Sequence, residues 1–364
     1  MPMGRTLVAA AISVVLIVIA ACGDDVTPAT ASPVSCKGKK ALVAAGSSAQ
    51  SGIIAEFARA YSRSCRGHTL SYRSIGSGAG RAEFAAGLSD IGGTDVPLGA
   101  DPSETERAVA RCGGNPVWNL PLVFSAVGIT YNVPGLDSLI LDAPSAAKIF
   151  SGAIKDWNAP EITALNPGRD LPDIPIVVIY RTDASGSTDS FQRYLQAASG
   201  AAWGRGIDES FNGIRGKGVM GNEGAWAAIK RTPGSITYSA WSFAETYGLS
   251  VARIVTSAGP DPVTLSAESV GRSIAGVTVT GQGNDIVLDL SSTYRPSRLG
   301  AYPIVLTTYE VVCSRYPDGS TAESVRDFLT VALRTEDDGL RGPGHVSVPG
   351  LIVDRLSSAI ESIS

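Results

Sequence analysis

The chain has 364 residues, 30 Lys and Arg against 34 Asp and Glu, and a formal net charge of -4 with 44% hydrophobic residues. That balance argues against nucleic acid or an anionic membrane surface as the main partner, so any anion held here must be held by local hydrogen bonds and a few fixed charges. The length exceeds what one typical core uses and points to two domains.

Arg5 precedes an apolar run, LVAAAISVVLIVIA, that ends in Ile19-Ala20-Ala21-Cys22. The run falls short of the ~20 apolar residues that span a bilayer as a helix, and small residues followed by a cysteine close it, which reads as a secretory signal over 1–21. The closing tetrapeptide resembles a bacterial lipobox with Ile19 in place of the more usual leucine, which implies lipidation at Cys22 and anchoring to the outer face of the cell membrane. Residues 22–35, rich in Pro, Ser and Thr, then read as a tether, with folded chain beginning near Cys36.

KKALVAAG (39–46) predicts a strand. SGIIAEFARAYSRS (51–64) predicts a helix with Ile53, Ile54, Phe57 and Tyr61 on one face, and HTLSYRSIG (68–76) a second strand. Together they make a βαβ unit whose parallel strands start at the same sheet edge. Cys36 and Cys65 each precede one of those strands, so a Cys36–Cys65 bridge is reasonable, and Cys112–Cys313 follows by elimination. With no CxxC spacing and only His68 and His345, zinc is not indicated. The second bridge returns the late segment YPIVLTTYEVVCSRY to the first domain. The expected division is α/β domain I over 36–122 and 303–364, and α/β domain II over 123–302, with two crossings that form a hinge.

Three strand-to-helix turns carry Ser and Gly: ALVAAGSSAQ (41–50), SIGSGAGRAEF (74–84) and YRTDASGSTDSF (180–191). A helix N-terminus offers unpaired N–H groups, glycine admits close approach, and serine adds a hydroxyl. One such turn is ordinary capping chemistry; three, one with Arg181, point to an anion. GSGAGR (76–81) departs from a dinucleotide fingerprint at Arg81, no GxxxxGK[ST] occurs, DASGS is not a GxSxG elbow, and GIRGKGVMGNEG (213–224) reads as a surface loop.

AGSSAQ, GSGAG, DIGGTDVPL (90–98), WNLPLVF (118–124), AKIFSGAIKDWN (147–158), RTDASGSTDSF and TPGSITY (232–238), in that order, resemble the substrate-binding lipoprotein of the ABC-type high-affinity phosphate importer, the mycobacterial members above all. The resemblance implies a periplasmic-binding-protein-like clamp closing on inorganic phosphate, permease subunits as partners, no cofactor and no chemistry on the ligand. Residue by residue, it implies donors at Ser47, Ser48 and Ala49, then Ser77, then Asp95 accepting a hydrogen bond from the protonated ligand. Arg181 matches the cation, oriented by Asp183, and Ser185, Gly186 and Ser187 match the third turn. Ser48 and Ser187 stand where threonine is common, which keeps the hydroxyl. A different oxyanion such as sulfate, a secreted phosphoester hydrolase, and a surface adhesin on the same fold are the competing readings.

Overall fold

A computed structural model describes residues 34–99, 101–337 and 342–364. The signal segment, Cys22 and most of the tether lie outside the described residues. Ser35, expected in the tether, already belongs to the fold, because its N–H and hydroxyl both reach Asp327, at 3.1 Å each.

β1 (Ala41–Gly46), α1 (Ser51–Ser64) and β2 (Thr69–Ser74) build the βαβ unit, with parallel pairing from Ala41 opposite Thr69 to Gly46 opposite Ser74. Ile53, Ile54, Phe57 and Tyr61 are buried on the inner face of α1. The chain continues through α2 (Ser77–Ala85), β3 (Ile91–Thr94), α3 (Pro102–Arg111) and the long β4 (Val117–Asn132). Next come β5 (Ile140–Asp142), α4 (Ala143–Ser151), α5 (Pro160–Leu165), β6 (Val177–Arg181), α6 (Gly186–Ala198), β7 (Lys217–Val219), α7 (Gly221–Arg231), β8 (Ser235–Ala240) and α8 (Trp241–Tyr247). Short strands β9 (Ser250–Val251), β10 (Arg253–Thr256) and β11 (Gly259–Val263) lead to α9 (Ala267–Ile274), β12 (Thr278–Val279), β13 (Leu288–Asp289) and α10 (Ser291–Tyr294). β14 (Val305–Cys313), α11 (Gly319–Asp337) and α12 (Gly350–Glu361) complete the chain. None of the described helices is long and apolar enough to cross a membrane.

The main sheet runs β2-β1-β3-β14-β4-β8-β6-β7, with β9 on β4. β4 joins its two halves. From Val117 to Ala126 it pairs antiparallel with β14, and from Val127 to Asn132 with β8. Its buried positions are nearly continuous, as expected for a strand covered on both faces. Pro121 lacks an N–H to donate and sits where the β4–β14 register shifts, between Thr308 opposite Val123 and Tyr309 opposite Pro121. Such an irregularity turns side chains out of the regular alternation, here beside Thr308.

The segment 213–224 is not the surface loop the sequence led us to expect. It holds β7, which pairs in parallel with β6, and the start of α7. A three-residue strand is too short to show a period. Two disulfides close the fold, Cys36–Cys65 at the head of β1 and β2 and Cys112–Cys313 between the end of α3 and the end of β14. The second spans 201 residues of sequence, fixing the late strand to the first part of the chain.

Candidate anion site

The first turn follows β1. Gly46, Gly80 and Gly93 pack against one another so closely that a Cβ on Gly46 would stand 1.9 Å from the Gly93 carbonyl oxygen, and one on Gly80 would stand 2.4 Å from Gly46 Cα. This draws α2 onto the ends of β1 and β3 and brings the first two turns together. Ser47 is a brace here. Its N–H is taken by the Gly93 carbonyl at 2.8 Å, its hydroxyl donates to Asp95 Oδ2 at 2.8 Å, and the same oxygen accepts from Ala49 N–H at 3.1 Å. The N–H groups of Ser47 and Ala49 are thus spent within the protein. Ser48 Oγ accepts from the N–H and Nδ2 of Asn222, at 3.0 and 2.8 Å, which leaves its own hydrogen to donate.

Asp95, in the turn after β3, is 7% exposed. Each carboxylate oxygen has one hydroxyl donor, Ser47 on Oδ2 and Thr308 on Oδ1 at 2.7 Å, so each keeps a further lone pair. Burial raises its pKa to about 6, with the Thr308 and Ser47 hydrogen bonds and the Arg181 charge holding it from going higher. The Ser77 hydroxyl, at the start of α2, accepts from Asp95 N–H at 3.1 Å and from Gly186 N–H at 3.2 Å. It therefore bridges the second turn to the third.

The third turn opens α6. Ser185 caps the helix by accepting from Thr188 N–H at 3.3 Å. The Ser187 hydroxyl is buried and has no hydrogen-bond partner among the described residues. Arg181, at the end of β6, is 3% exposed, and its Nε and Nη2 face Asp183 in a bidentate pair, Nε at 2.7 Å. Asp183 also accepts from Gly221 N–H at 3.1 Å. Burial alone would raise its pKa, but the Arg181 hydrogen bonds and charge hold it below the ordinary carboxylate range. Beneath this turn, Tyr238 OH accepts from Arg181 N–H at 3.2 Å and meets Thr188 Oγ1 at 2.8 Å, while its ring stacks on Phe191 with centroids 4.8 Å apart.

Ser47, Ser48, Ala49, Ser77, Asp95, Arg181, Ser185, Gly186 and Ser187 are all buried, and Asp183 stands beside them. Contacts between the 46–95 and 181–223 regions include Ser48 with Asn222, Ser74 with Glu223, Ser77 with Gly186, Gly78 N–H with the Ala184 carbonyl, and Arg81 with Glu209 at 2.6 Å. Asn222 and Thr308 escaped the sequence reading, the first within a segment mistaken for a loop, the second in a strand noticed only for its cysteine. A cleft of about 490 Å³ between α6 and the 280–291 segment meets this set only at Asp95 and is lined by neither Arg181 nor the serine turns. The turns, unlike that cleft, gather groups that suit an oxyanion: hydroxyl donors, helix N-terminal N–H groups, one guanidinium, and one carboxylate able to accept a hydrogen bond.

Residues 28–336 match the model of the PBP superfamily domain. Phosphate-binding protein PstS2 of Mycobacterium bovis (strain BCG / Pasteur 1173P2) is 49% identical over 354 residues, 96% of this chain and 95% of that protein. The chain belongs to the PstS family. Phosphate-binding protein PstS 3 of Mycobacterium leprae (strain TN) is likewise 49% identical, over 95% of this chain and 93% of its own. Among solved structures, a high-affinity periplasmic phosphate-binding protein bound with phosphate superposes with TM-score 0.67 at 21% identity, covering 88% of this chain and 92% of that one. A phosphate-binding protein from Stenotrophomonas maltophilia gives 0.66 at 20%, covering 88% and 94%. These two establish the fold that this PstS-family chain shares.

A Cβ on Gly186 would stand 2.4 Å from Asp95 Cβ and 2.8 Å from Ser77 Oγ. Gly186→Ala therefore should prevent the second and third turns from meeting and weaken oxyanion binding roughly ten- to a hundredfold, the ~1–3 kcal/mol of overpacking. Calorimetric titration with phosphate checks this, and unchanged affinity would show that the two turns need not meet.

Proposed function

We propose that this protein binds inorganic phosphate in a dehydrated site and delivers it to the permease subunits of an ABC importer. The observation that carries the reading is Asp95, a buried carboxylate with spare acceptor capacity amid donors from three helix-opening turns. In this reading Ser48, Ser77, Ser185, the Ser187 hydroxyl and the Ser187 N–H donate to ligand oxygens, and Ser47 and Ala49 shape the first turn. Arg181, steadied by Asp183, supplies the positive charge. Its planar fork suits a tetrahedral oxyanion, and pairing with Asp183 fixes which edge is presented. The orphaned Ser187 hydroxyl supports the same reading, since a buried hydroxyl ordinarily has a partner.

The clamp follows from where the donors lie. Domain I (36–122 and 303–364) contributes Ser48, Ser77 and Asp95, and domain II (123–302) contributes Arg181 and the third turn. All reach one ion only when the two close, with β4 and the approach to β14 as the crossings. Export and a lipid at Cys22 would hold the protein at the outer face of the membrane, near its permease. Failure of a Cys22→Ala chain to lose lipid label would remove the anchor from this account.

The oxyanion is chosen by its proton. At neutral pH phosphate keeps at least one proton and sulfate has none, so Asp95 accepts a hydrogen bond from the first and faces only lone pairs on the second. A site built to receive a ligand proton rejects an analogue without it by ~10⁴-fold or more. Asp95→Asn supplies an amide donor in place of the charge, so sulfate should become a measurable competitor in titrations of ligand-stripped protein while phosphate still binds. A variant that binds phosphate and excludes sulfate as strictly as the parent would take the discriminating role away from Asp95.

A further inference from the structure

Glu310 lies in β14, two residues after the Thr308 that holds Asp95, and its backbone stands opposite Gly93 of β3 and Leu120 of β4. It is 0% exposed, and among the described residues neither carboxylate oxygen has a partner within hydrogen-bonding geometry. The phosphate reading gives it no role.

Its neighbour is Gln50, at the base of the first anion turn. Gln50 Nε2 donates to the Tyr72 hydroxyl at 3.1 Å, and that hydroxyl donates to the Ser47 carbonyl at 2.7 Å. Gln50 Oε1 is buried and, like the Glu310 oxygens, has no donor. A Cβ on Gly93 would stand 2.3 Å from Gln50 Nε2 and 2.7 Å from Tyr72 OH, so the bare glycine lets this chain pack against the strand that faces Glu310. The cluster holds three such acceptor atoms against one uncommitted donor, the second Nε2 hydrogen of Gln50, which faces Glu310. A proton on Glu310 would add the donor that Gln50 Oε1 lacks, leaving the other carboxyl oxygen for the Nε2 hydrogen.

Among the described residues, the charged and titratable groups that act on this cluster include no cation. Asp95 faces Glu310 from the turn after β3, Tyr72 faces it from β2, and Glu223 of α7 acts on Tyr72. A second buried negative charge beside Asp95 would oppose an incoming anion.

We infer that Glu310 is protonated in the folded protein and acts as a positioning residue, its proton bracing the Gln50–Tyr72–Ser47 chain under the anion turn and linking phosphate binding to pH. Burial pushes the Glu310 pKa up to about 8, with Gln50 pulling it down and Asp95 raising it further. The inference rests on phosphate being the ligand. An anion bound nearby raises the Glu310 pKa again, so binding near pH 8 takes up a proton, and affinity falls as pH rises past that value.

The test compares wild type with Glu310→Gln, which keeps the shape and a permanent donor. From pH 7 to pH 9 wild-type affinity for phosphate should fall roughly five- to tenfold more than that of the variant, the consequence of a one-unit rise on binding. Calorimetry at pH 8 in buffers of different ionisation enthalpy should show more proton uptake by wild type. Equal pH profiles and equal uptake, with phosphate bound by both at pH 7, would overturn the inference. Infrared spectra of wild type should carry the band of a protonated carboxyl at pH 7 that bleaches by pH 10, and its absence would overturn the inference even where the variant fails to fold. Failure of both proteins to bind phosphate at pH 7 would defeat the ligand assignment instead, and the infrared band would still decide the protonation.

Discussion

A carboxylate kept in a dry junction is the constraint on which the rest of this structure depends. Asp95 is removed from water, yet its two oxygens are met by hydroxyls from distant parts of the chain, Ser47 after the first strand and Thr308 on a strand more than 200 residues later. A buried charge without such partners would simply take up a proton. The glycine contact among Gly46, Gly80 and Gly93 and the register shift opposite Pro121 both serve to bring those hydroxyls to it. The disulfide at the far end of β14 fixes the same strand to the first part of the chain. The sheet is therefore more than a scaffold for loops, because one of its central strands reaches directly into the site.

The charges also explain how a protein with a net charge of -4 can hold an anion. Arg181 is paired with Asp183 and Asp95 adds another negative group, so the fixed side-chain charges of the site do not sum to a positive well. What remains is a set of oriented donors: hydroxyls whose hydrogens are free because their oxygens are already accepting, and N–H groups at the starts of α2 and α6. Such dipoles act over a short range and need water excluded to act strongly. Long-range attraction contributes little, which fits a net charge of -4.

Much of this was legible in the sequence, for reasons particular to the residues. The βαβ unit could be read because the α1 face repeats at helical spacing and its flanking strands alternate or run apolar. The three serine turns could be placed because each stands between an apolar or alternating run and a segment of helical spacing. Other parts were closed to inspection. That Ser47 is a brace while Ser48 Oγ accepts from Asn222 depends on Gly93 claiming one N–H and on Asn222 approaching the other side chain, and both are tertiary facts. β7 is too brief for periodicity, so the glycine-rich stretch hid the start of α7 and with it Asn222. Thr308 looks like any strand threonine until the β4 register is known.

Arsenate, a tetrahedral analogue of phosphate with an anomalous scatterer at its centre, tests the central claim most directly. In crystals grown with arsenate from ligand-stripped protein, the anomalous peak should lie among Ser48, Ser77, Asp95, Arg181 and Ser187, within hydrogen-bond distance of the Asp95 carboxylate. A peak in the cleft beside the 280–291 segment and none between those turns would contradict the account.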